Sequence, residues 1–561
     1  MMFRMTGLSD IDNHACSRQL VWAWPGFVMV VACAAMYYWL YIDATFNIAD
    51  DGSYAQVVYE LRHGIDPHRL QLSYGIAWFK LGQFLFWLTG NSYLTAEALF
   101  HGALAIVAGL VFVVVGRLTR NPWLALAGGA LTAAAPAFPA TAFYAVSTML
   151  NLFCQMALAC RWRTLRAWDV VPAAVALAVT FQIRPDFGYF FAIPLGALLL
   201  LSGGIQGGRI FGQLLGAALA AFISAHIPLA VDGLRHGYFD LVIANYLRYP
   251  ALLWYLLETA LNSPAVADNG GAGAVLARTP LSALWHGPLS AAKSALTLYA
   301  PVAGIGLFVA CHAAWAVGSW RRGQGAVAFD RLIIAGVLLA SALASFPHYF
   351  LFRPDLAHVA NFMAGYTVLA LVLVGDVARK AGQAHGLLAR GARAVVLLVV
   401  LTGLAGYGWV GLTEQGSGSI TVAQGRTQRF IAANGVDVRL TENEHALYSW
   451  LYAQITENSR NDDPIICVPF CPGIAFMTGR RMLLGDFYVD DALLLREPDW
   501  IDRAIAASRA SAVPVVVVQD WAINGTNQSR FVVWARRYID FLDAAGYRRV
   551  TLSDYTVYIR P

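Results

Sequence analysis

Charge is what this sequence has least of. Asp, Glu, Lys and Arg make up 13% of its 561 residues, against 58% that are hydrophobic. Soluble domains carry about a quarter charged residues. So little charge cannot clothe a chain of this length in water, and it points to a multi-span membrane protein with one soluble part. The formal net charge of +5 is small, and no dense Lys/Arg tract is present, which argues against a nucleic-acid partner. Cysteine is also sparse and scattered, at Cys16, Cys33, Cys154, Cys160, Cys311, Cys467 and Cys471. No paired CxxC spacing suggests zinc, and most of these residues lie in apolar segments, where Cys acts as a small hydrophobe. Cys467 and Cys471 are close enough in sequence for a disulfide, or stand as two thiols. There is no GxSxG, P-loop or GxGxxG, so nucleophilic-triad and nucleotide-binding readings have no support. No internal repeat is visible.

What the chain has in abundance is long apolar runs. The first exceeds the usual signal-peptide core of about 7–15 residues and is rich in Trp and Tyr, so it reads as an uncleaved span. The candidate spans are 21–41, 94–115, 123–138, 144–160, 170–183, 187–201, 210–231, 294–317, 332–345, 359–375 and 395–410. Residues 74–88 form a shorter apolar segment, re-entrant or interfacial. If that segment does not cross, the basic residues near span ends fall on one side: Arg4 and Arg18, Arg117 and Arg120, Arg161, Arg163 and Arg166, Arg209, Arg321, Arg322 and Arg331, and Arg379, Lys380, Arg390 and Arg393. The positive-inside rule then gives about eleven crossings, a cytoplasmic N-terminus and an exported C-terminus.

The expected organisation is a transmembrane region over 1–412 and a small soluble α/β domain over 413–561. The first exported loop covers 42–73. A long exported loop covers 232–293 and holds a Gly/Ala-rich stretch at 262–273, suited to a mobile lid. In the soluble part, Glu442–Asn458, 501–509 and 532–545 read as helices, and 465–469, 513–519 and 550–559 as strands.

Three exported places carry chemistry. The first loop contains Asp50-Asp51-Gly52-Ser53-Tyr54-Ala55, opening a short helix. Tyr54, Val57, Val58 and Leu61 recur at helical spacing, which fits a helix lying on the membrane surface. Asp51 is a plain helix cap or a functional acid. Asp50 is a solvated acid or a general base taking a proton from an attacking hydroxyl. Arg184 and Asp186 flank Pro185 between two spans, either as an internal ion pair or with Arg184 aimed at an anionic ligand. The third place is 346–358, with His348, Arg353, Asp355 and His358 and a second Arg-Pro-Asp. His358 reads alternatively as a polar residue satisfied at a helix start. A phosphate leaving group needs positive charge where negative charge grows; Arg353 is the first candidate, Lys80 and Arg184 the next. Asp50, Asp51, Asp355 and His358 are types that bind a divalent cation, but no spacing demands one, so the sequence establishes no cofactor and leaves a divalent cation open.

The run from Asp50 to Gly64, DDGSYAQVVYELRHG, is similar to the first exported loop of GT-C glycosyltransferases, where an acidic pair precedes a Tyr-Ala pair and a later Gly. Residues 76–89 followed by Gly90-Asn91-Ser92, and the segment 468–481, resemble further parts of bacterial members. The nearest types are protein O-mannosyltransferases and lipid A aminoarabinose transferases. The resemblance implies inverting transfer of a sugar from a polyprenyl-phosphate donor, with Asp50 as base and Asp51 in place of the usual second acid, Glu. Tyr74-Gly75 replaces the family's frequent Pro-Pro, and Lys80 lies near, not clearly at, the donor-phosphate position, so no sugar specificity carries over. The implied partners are a polyprenyl-phosphate-linked sugar, membrane lipids, and a glycan, lipid or protein acceptor of the cell envelope. The rival readings are a transporter or flippase of lipid-linked sugars and a polyprenyl-dependent polysaccharide polymerase or ligase. A structural or sensory membrane protein gives no reason for the acidic pair.

Overall fold

The computed structural model describes residues 13–44, 46–72, 75–134, 142–247, 250, 282, 289–344, 356–381, 387–413, 419–490, 493–523 and 527–561. Each of the eleven apolar segments coincides with a helix: α1 (Asn13–Trp39), α4 (Tyr93–Thr119), α5 (Pro122–Ala133), α6 (Ala142–Ala159), α7 (Val171–Ile183), α8 (Pro185–Gln206), α9 (Gly208–His236), α10 (Leu289–Arg321), α11 (Gly325–Leu343), α12 (Leu356–Ala381) and α13 (Leu387–Thr413). Between α1 and α4 lie two shorter helices, α2 (Asp50–Arg62) and α3 (Ile76–Thr89). Among the described residues, seven helices are long and apolar enough to cross a bilayer. α3 has 14 residues, about 21 Å at 1.5 Å per residue, too short to span the roughly 30 Å hydrocarbon core.

Helix ends follow local chemistry. Asn121 accepts from the amides of Trp123 and Leu124 at 2.9 and 3.3 Å, and Pro122 starts α5, where its missing N–H costs nothing. Arg184 separates α7 from α8 in an extended conformation, as expected before a proline. Gly207 and Gly237, both at positive φ, end α8 and α9.

The charged residues gather at opposite ends of the bundle. At one end Arg163 reaches Asp330 at 3.0 Å, Arg379 donates to the Thr119 carbonyl at 2.8 Å, and Arg161 pairs with Asp169. At the other lie α2, the α7–α8 junction, the end of α9 and the C-terminal region.

That region contains a two-stranded ribbon, β1 (Gln428–Ile431) with β2 (Asp437–Leu440), and a five-stranded sheet in the order β4-β3-β5-β7-β6. Its strands are β3 (Pro464–Val468), β4 (Arg481–Met482), β5 (Val515–Gln519), β6 (Arg548–Leu552) and β7 (Tyr555–Ile559). β3 runs parallel to β4 and β5, whereas β7 is antiparallel to β5 and β6. Three helices serve it: α14 (Glu442–Asn458), begun by a Thr441/Glu444 capping box, α15 (Pro472–Thr478) and α16 (Trp500–Ala510), with α17 (Arg536–Ala544) beyond. Alternate strand residues point to opposite faces. Ile465, Cys467, Val515, Val517, Tyr555 and Val557 join the main core, which continues into the helical bundle. Ile466, Val468, Val516, Val518 and Tyr558 pack with Trp500, Ala504, Tyr538 and Leu542 on the outward face.

One expectation is corrected. Residues 550–559 form a hairpin rather than one strand. It turns at Ser553-Asp554, with Ser553 at φ +55°; Ser and Asp favour turns because their side chains compete for backbone bonds. The helix of the first loop is enclosed by protein on both faces. Tyr54, Val57, Val58 and Leu61 are buried, and so are Gln56 and Glu60 on its polar face, because the C-terminal region covers the side that would have faced water.

Candidate active site

Asp50 and Asp51 occupy the first turn of α2. The cap position belongs to Ala49, which offers no side-chain bond, so Asp51 is not the helix cap. Carboxylates in a first turn face the positive end of the helix dipole. Asp51 is 1% exposed, while Asp50 is half-buried.

Around the helical wheel both acids flank the direction of Tyr54, one turn on, and Tyr54 points at α3. Its hydroxyl donates to the Trp78 carbonyl at 3.0 Å, and its ring stacks on Phe79 and meets Phe100 edge-on. Gly82 of α3 makes room for it, since a Cβ there would overlap the Tyr54 hydroxyl. The opposite side of α2 is held by the C-terminal region. The Gly473 amide donates to the Ile48 carbonyl at 2.8 Å, and a side chain at Gly52 would overlap the Gly473 backbone. Gln56 donates to the Arg480 carbonyl at 3.1 Å and to Glu60 at 2.8 Å. Glu60 also accepts from the Met482 amide at 2.7 Å, and Tyr59 donates to the Gly479 carbonyl at 3.2 Å. Burial pushes the Glu60 carboxyl above its ordinary range, only partly offset by these donors and by Arg481. Arg480, itself buried, is satisfied by Ser459, Asn461 and the Thr478 carbonyl. The acidic turn is thus clamped between membrane helices and a lid of polypeptide more than 400 residues away in sequence.

Arg184 lies on the other side of α3. The Gly75 amide donates to the Ile183 carbonyl at 2.8 Å, pinning the start of α3 to the α7–α8 junction. A Cβ at Gly75 would collide with the Gln182 carbonyl, so a backbone this close needs glycine. Arg184 Nε is 2.8 Å from Asp186 Oδ1, and both are buried. The guanidinium sits 4.8 Å from the centroid of the Tyr144 ring. Rings continue from there through Phe143 and Trp78 to Tyr54. An aromatic layer therefore links the acid-bearing helix to the Arg184 junction.

Lys80 leaves α3 on the side away from α2. Its Nζ is 3.1 Å from Asp232 Oδ2 and 4.7 Å from the centroid of the Tyr238 ring. Tyr238 donates its hydroxyl to Asp232, and His236 Nδ1 is 3.0 Å from Asp232 Oδ1. Lys80 and Arg184 thus flank the pinned start of α3, each with a carboxylate. Arg353, His348 and Asp355 lie outside the described residues, as does the stretch 262–273. His358 falls in α12, but its side chain is not among those described. Among the described residues no group of three or more His, Cys, Asp or Glu side chains is gathered to hold a metal ion. Cys467 and Cys471 are both buried free thiols, and burial pushes the Cys471 thiol up.

The sequence reading missed Gln56, Glu60, Asp232 and the Gly52–Gly473 contact. The Pro-Gly pair at 472–473 and the small residue inside the acidic turn were the available signals of close backbone approach.

No protein-family description matches the sequence, and no curated protein does. The chain is similar to two solved structures of ArnT from Cupriavidus metallidurans. One, bound to undecaprenyl phosphate, is 13% identical; the match covers 95% of this chain and 97% of that one, with a TM-score of 0.48. The other, in the apo state, is 12% identical over 96% and 98%, with a TM-score of 0.47.

Proposed function

We propose that the protein is an integral-membrane glycosyltransferase of the GT-C type. It moves a sugar from a polyprenyl-phosphate donor to a hydroxyl of an envelope glycan, lipid or protein, with inversion. Residues 1–412 form the catalytic membrane region, and 413–561 a domain on the periplasmic side of a bacterial inner membrane. The observation that carries this reading is the half-buried Asp50 at the first turn of α2, in a loop that resembles the catalytic loop of that family and is roofed by the C-terminal domain.

Asp50 takes the proton of the acceptor hydroxyl. The oxygen bonds to the anomeric carbon as the bond from that carbon to the donor phosphate oxygen breaks, and the electron pair leaves on the phosphate. Arg353, with Arg184 or Lys80, meets the charge that develops there. Asp51 holds the acidic turn, while Asp186, His348, Asp355 and His358 support the basic groups. Holding donor and acceptor at one interface supplies part of the acceleration.

The test has two arms. Mass spectrometry of envelope glycans and glycolipids from cells with and without the protein should show one missing sugar, which names the substrate. In a purified assay, Asp50→Asn should lower the release of polyprenyl phosphate by about 10²–10⁴-fold, the usual weight of a general base. Full turnover by that variant removes Asp50 from the mechanism.

A further inference from the structure

The outward face of the C-terminal domain carries a polar concavity of about 290 Å³, lined by Ser508, Arg509, Phe541, Ala544, Ala545, Tyr547 and Arg560. It lies on the α16–α17 side of the sheet, across the strands from the face that joins the bundle core. The site described above therefore makes no use of it.

Two arginines line it, and no lining residue is a carboxylate. Arg509 lies over the Phe541 ring, 5.0 Å from its centroid. Stacking fixes the plane of the fork while leaving its N–H groups directed outward. Arg560 is anchored at the backbone, where its amide donates to the Pro514 carbonyl at 2.9 Å. Of the fifteen arginines between 413 and 561, seven are matched with acids: Arg426, Arg429, Arg439, Arg503, Arg530, Arg536 and Arg537 each form an ion pair. Among the described residues, Arg509 and Arg560 have no such partner. The acids of α17 do not supply one. Asp543 lies on the side of that helix away from Phe541 and Ala544, and Asp540, one turn before Ala544, is taken by Arg536. The Tyr547 hydroxyl is spent on the Val513 carbonyl at 2.7 Å and that of Ser508 on the Ala504 carbonyl at 2.7 Å, so the cationic forks are the donors left to a ligand.

Planar forks of this kind suit phosphate and carboxylate oxygens. An aromatic wall and a floor of small residues suit a sugar ring, and the volume is near the lower limit of small-ligand pockets, about 300 Å³. We infer that Arg509 and Arg560 form a second binding site, for one sugar unit bearing a phosphate or a carboxylate, on the face of the domain turned away from the membrane helices.

Titration calorimetry on the full chain in detergent micelles tests this, with glucose 6-phosphate, glucuronate, glucose and inorganic phosphate as probes. Saturable binding of glucose 6-phosphate or glucuronate is expected, at least ten-fold tighter than that of glucose or inorganic phosphate. Whichever of the two anionic sugars binds better identifies the anion. Arg509→Gln and Arg560→Gln should each weaken that binding at least ten-fold, with the thermal unfolding midpoint unchanged. Absence of saturable binding by both anionic sugars, equal binding by inorganic phosphate, or binding unaffected in both variants overturns the proposal.

Discussion

Glu60 is the residue whose setting is most sharply defined. It is 1% exposed and accepts from both Gln56 and the Met482 amide. Removing the acceptor while leaving the amide buried costs about 1–3 kcal/mol, so Glu60→Ala should lower stability by that order in a denaturant titration. Glu60→Gln keeps an acceptor for the amide and removes the charge. Because burial raises the Glu60 carboxyl in the folded chain, its stabilising contribution is complete below its unfolded pKa and is lost as pH rises through the raised folded value. The thermal midpoint of the Gln variant should therefore gain on the native protein as pH rises. A constant difference between the two would show that Glu60 titrates normally. His68 gives the complementary case outside the spans. It touches Asp66 at 2.8 Å and Asp240 at 3.0 Å, and those carboxylates raise its pKa. The tie between the first loop and the segment after α9 is present below the unfolded pKa of His68 and fades as pH rises through the folded one. Amide exchange over residues 238–247 should quicken across that window in the native chain and stay level in His68→Gln.

At the scale of elements, α2 explains both what was legible and what was not. Its extent was readable, because apolar residues at helical spacing after an acidic turn announce a helix. Its burial was not, because the same amphipathic pattern suits a membrane surface or a protein interface. The contact that decides is between two glycines, Gly52 and Gly473, whose backbones touch. A methyl group there overpacks the joint by about 1–3 kcal/mol. Gly52→Ala should loosen the C-terminal domain from α2, seen as faster proteolysis between 414 and 490 with the membrane helices unchanged. Gly75 and Gly82 serve α3 in the same way, one against the Gln182 carbonyl and one beneath Tyr54. The Arg184–Asp186 pair was one of two readings open from the sequence, and the short buried contact realises it. In the free protein the Arg184 charge is thus neutralised, and an anionic ligand would have to compete with Asp186.

Over the whole molecule, the acid-bearing loop, the α7–α8 junction, the end of α9 and the C-terminal domain share one end of the bundle, while Arg161, Arg163 and Arg379 with their acids share the other. On the positive-inside rule we propose that the second end is the cytoplasmic one. A cysteine replacing Arg429, exposed on the domain, should then react with a membrane-impermeant thiol reagent in spheroplasts, and one replacing Arg166 should react only after lysis. Reversal of that pattern would invert the topology and detach the acidic loop from a donor displayed outside the cell.

The sequence by itself determined the long apolar helices: the eleven apolar segments are helical to within a few residues at most ends. The physical reason is local: a segment in hydrocarbon must satisfy its own backbone hydrogen bonds and present apolar side chains, and about 20 consecutive residues suffice to specify that. Only the tertiary structure decided which groups stand together. Gly52 and Gly473, Lys80 and Asp232, and Gly75 and Ile183 meet across loops whose lengths carry no partner information. Each contact depends on complementary shape and charge that two distant segments acquire only once both are folded.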